Sequence, residues 1–112
     1  MVIRSAFWWA AAVCCLLTAS VAVADDAAFK LTIRNHRFEP AELVVPAGQK
    51  IKLEIKNLDA TPEEFESHEL NREKIVPANG TVVIFVGPLK PGCYSFFGEF
   101  NKATAKGVLI AK

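Results

Sequence analysis

Beyond residue 28, apolar and polar residues alternate with a period of two, the signature of strands rather than helices. "KIKLEIK" at 50–56 sets Ile51, Leu53 and Ile55 against Lys and Glu, so one face of the strand is apolar and the other charged. "FKLTIRN" at 29–35 repeats the pattern with Phe29, Leu31 and Ile33. "TVVIFV" at 81–86 is continuously apolar, which predicts a central strand buried on both faces. "CYSFFGEF" and "KGVLIAK" predict two further strands, and "AELVV" a shorter one. Turn residues separate them: Pro46-Ala47-Gly48, Pro77-Ala78-Asn79-Gly80, Gly87-Pro88 and Pro91-Gly92. Short strands at this spacing predict an all-β fold, a sandwich or barrel around one core. No repeat, linker or low-complexity segment interrupts it.

Residues 1–24 follow a different pattern. Arg4 gives a basic start, Ala6 to Leu17 carries no charge, and Ala22-Val23-Ala24 offers small residues where a signal peptidase needs them. This predicts a secretory signal cleaved between Ala24 and Asp25, with export to the periplasm, and one domain over 25–112. The apolar run is too short for a spanning helix. Without Arg4 the charges of the remaining chain balance, and there is no basic patch. Nucleic acid and an anionic membrane surface are therefore disfavoured as partners. Cys14 and Cys15 leave with the signal, so Cys93 has no partner for an internal disulfide. The domain must be held by its core or by bound metal.

One stretch concentrates charge. "LDATPEEFESHELNREK" at 58–74 holds Asp59, Glu63, Glu64, Glu66, Glu69 and Glu73, with His68 among them. Such density costs stability through like-charge repulsion unless it is solvated or shared with a cation. The plainer alternative is an exposed connection kept soluble by charge. On a strand, Glu64 and Glu66 would share one face while Phe65 packed into the core from the other. His68 would continue the carboxylate face, and Glu99 would lie at the same end of the molecule. Carboxylates so spaced suit a hard cation such as iron better than Cu(I). Glu64, Glu66 and Glu99 are the leading candidate ligands, with Glu63 and His68 in reserve. His36, in "NHRFEP", is expected to be a capping or surface residue.

"FEPAELVVPAG", "EEFES" and "FFGEF" together resemble the cupredoxins, and among them the EfeO-type or FtrB-like cupredoxins of bacterial iron transport. The likeness covers nearly all of residues 25–112 and implies a Greek-key β-sandwich of seven or eight strands. In electron-transfer cupredoxins a His after the strand ending in Asn is the first copper ligand, and the last loop supplies Cys, His and Met. Here Glu63 or Glu64 stands in the first place, Gly98 in the Cys place, Asn101 or Ala103 near the second His place and Ala105 near the Met place. A type-1 copper centre needs a thiolate and two imidazoles, so these residues cannot build one. Cys93 is no substitute. Five positions along a strand from Gly98 place it on the opposite face, about 17 Å away.

The resemblance implies a periplasmic metal-handling protein that works beside a membrane iron permease, binding or delivering iron or supporting its oxidation. Copper is the other cofactor to consider, in an electron carrier with an atypical site. A third alternative is an interaction module that binds no metal. No nucleophile stands with a base partner, so an enzyme is not expected.

Overall fold

The computed structural model describes residues 27–112. The predicted signal peptide and its cleavage site lie outside the described residues. Among the described residues nine strands form two sheets: β1 (Phe29–Arg34), β2 (Arg37–Glu39), β3 (Glu42–Val45), β4 (Ile51–Asn57), β5 (Glu63–Ser67), β6 (Arg72–Val76), β7 (Thr81–Val86), β8 (Gly92–Gly98) and β9 (Lys106–Ala111). One sheet has the order β2-β1-β4-β7 and the other β3-β9-β8-β5-β6. β1 with β4 and β3 with β9 run parallel, and the remaining neighbours are antiparallel. Of the sandwich or barrel expected from the alternation, the observed all-β fold is a sandwich.

The period-two pattern explains which side chains meet between the sheets. Leu31 and Ile33 of β1, Ile51, Leu53 and Ile55 of β4, Phe65 of β5, Phe96 of β8 and Leu109 of β9 are all buried. Each such side chain contributes about 1.5–3 kcal/mol on leaving water. Phe38, Phe65 and Phe96 pack as a trio, with centroids 5.0, 5.2 and 6.1 Å apart and two edge-to-face contacts. β9 lets Phe96 in because Gly107 has no side chain, and a Cβ there would strike the Phe96 ring.

Two expectations are corrected. β7 is an edge strand, not a central one. Val82, Ile84 and Val86 face inward, whereas Thr81, Val83 and Phe85 are exposed. On the outer face of this sheet the Lys50 ammonium sits 4.5 Å from the Phe85 ring centre. The outward Val and Phe satisfy β-propensity rather than core packing.

The second correction concerns 58–74, which is not merely an exposed connection. Its middle folds into the β5–β6 hairpin, closed by a turn at 68–71 with Asn71 at a φ of 53°. Ser67 fixes that turn: its Oγ donates to the Ser95 carbonyl at 2.7 Å and accepts the Leu70 N–H at 3.1 Å. A strand unmarked by the alternation, β2, pairs with β1 through a two-residue turn at Asn35 and His36, both with positive φ.

Candidate functional site

β5 begins at the end of the sandwich where a copper ligand set would be expected. The loop before it is anchored by Asn57, which is fully buried. Its Nδ2 donates to the carbonyls of Thr61 (2.9 Å) and Val76 (3.2 Å), and its Oδ1 accepts the Asp59 N–H. That anchoring delivers Glu63 into the interior, where it is 1% exposed. Glu63 Oε1 accepts the N–H groups of Phe100 (2.9 Å) and Glu64 (3.0 Å), and Oε2 accepts Asn101 Nδ2 at 2.7 Å. Gly98 and Ala105 complete the cluster. A Cβ on residue 98 would lie 2.6 Å from both the Glu63 Cδ and the Ala105 Cβ.

The structure thus chooses between alternatives the sequence left open. Glu63 rather than Glu64 turns inward beside Gly98, and Asn101 rather than the exposed Ala103 bonds to it. Neither a thiolate nor an imidazole is present, and the space beside residue 98 is filled. These residues do not fit a type-1 copper ion.

Outside the same strand the situation is reversed. Alternation points Glu64 and Glu66 to the outer face of the five-stranded sheet, and the β5–β6 register sets Glu73 directly opposite Glu66. Carboxylate oxygens of Glu64, Glu66 and Glu73 all lie within 4.8 Å of one another. Glu99, in the short 3-10 turn Glu99–Asn101, lies close enough for its charge to act on Glu64 and Glu66. His68 Nε2 is 4.0 Å from Glu66 Oε1, and its ring lies against Phe97 with centroids 5.5 Å apart. Lys102 Nζ is 3.2 Å from Glu99.

Like charges opposite one another destabilise a sheet, and the carboxyls respond by holding protons. The Glu64 carboxyl is pushed up to about 7, first by a hydrogen bond with Glu73, then by partial burial and by the charges of Glu73, Glu66 and Glu99. Partial burial and Glu99 raise Glu66 as well, with His68 opposing. Several carboxylates at this spacing offer oxygen ligands to a hard cation, which would take the place of the protons.

The candidates therefore divide. Glu64, Glu66 and Glu99 share one face with His68 at its margin, while Glu63 turns inward to other partners. Glu73 completes the outer group and was missed. The signal was the symmetry of "ESHELNRE", in which Glu66 and Glu73 flank a turn at equal distance. Two other acids of the stretch serve the fold. The Asp59 carboxylate accepts the N–H groups of Asn35 (2.8 Å) and His36 (2.9 Å), bracing the β1–β2 turn. Glu69 accepts the Ser95 N–H and Oγ–H at 3.0 and 3.1 Å. His36 is a turn residue whose carbonyl accepts the Thr104 hydroxyl at 2.6 Å. Cys93 is exposed and free.

Comparison with known proteins agrees with this architecture. The model of the Cupredoxin-like domain family matches residues 5–111. An uncharacterised protein of Rickettsia prowazekii is 51% identical over 81 residues, covering 72% of this chain and 65% of that protein. The chain thus spans about two thirds of that relative's length. Among solved structures, auracyanin A, a "blue" copper protein from Chloroflexus aurantiacus, aligns with a TM-score of 0.67 at 16% identity, over 77% of this chain and 98% of its own. A purple cupredoxin from Nitrosopumilus maritimus gives 0.59 at 15% identity, over 75% and 99%. Amicyanin from Paracoccus versutus gives 0.61 at 14% identity, over 76% and 81%. At these identities the likeness concerns the fold.

Proposed function

The chain belongs to the cupredoxin-like domain family, and we propose that it is a metal-handling member that carries its cation on the outer face of the sandwich instead of in a type-1 copper site. The observation that carries this reading is the convergence of Glu64, Glu66 and Glu73 within 4.8 Å, with the charge of Glu99 acting on the same group. Three or four carboxylates, one of them protonated near neutrality when bare, form an oxygen-rich site for a hard ion. Iron in the ferrous or ferric state fits that chemistry, and Cu(II) is the alternative cargo. The solved neighbours named as copper proteins support copper as a second candidate.

The resemblance of "EEFES" and "FFGEF" to EfeO-type or FtrB-like cupredoxins supports a finer reading. The protein would act in the periplasm as an accessory of a membrane iron permease, binding and passing on iron rather than catalysing a reaction. The test is thermal unfolding of residues 25–112 with ferrous iron or Cu(II). The melting temperature should rise with cation concentration above the dissociation constant. Glu64→Gln/Glu66→Gln should abolish the rise while folding normally. A rise of equal size in both proteins would leave the acidic face as a solvated surface, and an interaction module would then be the better reading. Iron uptake by cells expressing a permease with wild-type or double-variant protein tests the partnership, and equal uptake would contradict it.

A further inference from the structure

Glu63 is a buried carboxylate that the outer site does not use. We propose that it takes the structural place of a metal ion at the inner ligand end, latching the 99–105 segment to β5 in the metal-free protein. In a copper sandwich an ion at this end would cross-link the start of one strand to the loop after another. Here the same two segments are joined by hydrogen bonds alone. Glu63 binds Phe100 and Asn101, which lie 37 and 38 residues away in sequence.

Every atom of the arrangement is accounted for. One oxygen takes two backbone N–H groups and the other takes an amide N–H. Charge-assisted bonds of this kind are among the stronger ones in proteins. The loop beyond is closed on itself: Ala105 N–H donates to the Asn101 carbonyl, and Gly98 N–H to the Ala105 carbonyl, both at 2.8 Å. Among the described residues no buried side-chain nitrogen or oxygen lacks a partner, so no donor set is left waiting for an ion. The volume is also taken, since even a Cβ at residue 98 would overlap Glu63 and Ala105. Gly98 and Glu63 are a matched pair, in which the glycine leaves room for the carboxylate of Glu63.

The latch has a geometric consequence. The oxygen that holds Phe100 N–H also holds Glu64 N–H, so it fixes the backbone beside Glu99 to the backbone of Glu64. The inner carboxylate is thereby a positioning residue for the outer ones. The latch itself does not depend on whether the outer face takes a cation.

Amide hydrogen exchange by NMR on chelator-treated protein tests it. In the metal-free wild type, the Phe100 N–H should be protected to the same degree as amides in the middle of β8. Asn101→Ala removes one donor and keeps the fold's other contacts, and Glu63→Gln keeps the volume but removes the charge. Each should speed Phe100 exchange roughly tenfold or more, as expected for loss of a part-buried charge-assisted bond. The same sample titrated with Cu(II) should show no intense band near ~600 nm, since no thiolate is in reach. Free exchange of Phe100 in the metal-free wild type, protection that arises only on adding metal, or a strong band near ~600 nm would each overturn the proposal.

Discussion

Glu63 and Glu64 are consecutive residues of one strand, yet their surroundings are opposite. Glu63 faces inward and meets three N–H donors, so its charge is compensated and its position fixed. Glu64 faces outward and meets Glu73, Glu66 and Glu99, so its proton is held up to about 7. A carboxylate buried among donors behaves as structure, whereas a half-buried carboxylate among its own kind is available for a ligand. The same division runs through the whole acidic stretch. Asp59, Glu63 and Glu69 each satisfy backbone N–H groups, and Glu64, Glu66 and Glu73 are left facing one another.

The strongest way to break this contrast is to remove each side in turn. Glu63→Leu strips the partner from two backbone N–H groups and an amide at a part-buried site. It should cost on the order of 3 kcal/mol in urea unfolding. Glu64→Gln/Glu66→Gln removes repulsion and should stabilise the metal-free protein. Equal losses for the two variants would show that the faces do not differ as described.

The contrast sharpens with pH. Glu64 titrates at about 7 when folded, against an ordinary 4.5. Between these values the folded state binds more protons than the unfolded chain, so stability falls as pH rises through the window. The melting temperature of metal-free protein should drop from pH 5 to pH 8, and Glu64→Gln should flatten that part of the profile. A rising profile in the wild type would contradict the outer cluster's geometry.

Two smaller effects mark the limits of the contrast. Ser67→Ala loses hydrogen bonds to Ser95 and Leu70 and should cost about 1 kcal/mol. It loosens the hairpin that sets Glu73 opposite Glu66. Lys102→Ala removes an exposed cation from Glu99 and should change stability by less than about 1 kcal/mol, with a slightly steeper loss above neutral pH. Chemical denaturation at two pH values measures both.

Much of this was legible from pattern alone. Ile51, Leu53 and Ile55 announce β4 because period two has few other meanings, and Phe65 between two glutamates announces which way each carboxylate points. Through the resemblance to cupredoxins, Gly98 and Ala105 stand at or near two copper-ligand places, and neither can ligate. What the residues do not reveal is pairing. β7 reads as central because nothing in "TVVIFV" says which neighbour is absent. Glu73 is one charge among six until the β5–β6 register places it opposite Glu66. Glu63 and Glu64 are interchangeable in sequence, and only the anchored loop from Asn57 decides which of them turns inward.

The central claim is that the cation belongs to the outer face. Calorimetric titration of ferrous iron into wild-type and Glu64→Gln/Glu66→Gln protein near pH 7.5, with air excluded, tests it most directly. The account predicts one saturable site in the wild type and affinity at least roughly 100-fold weaker in the variant, the loss expected when two charged ligands of a cation become neutral amides. Equal affinity in the two proteins would contradict it.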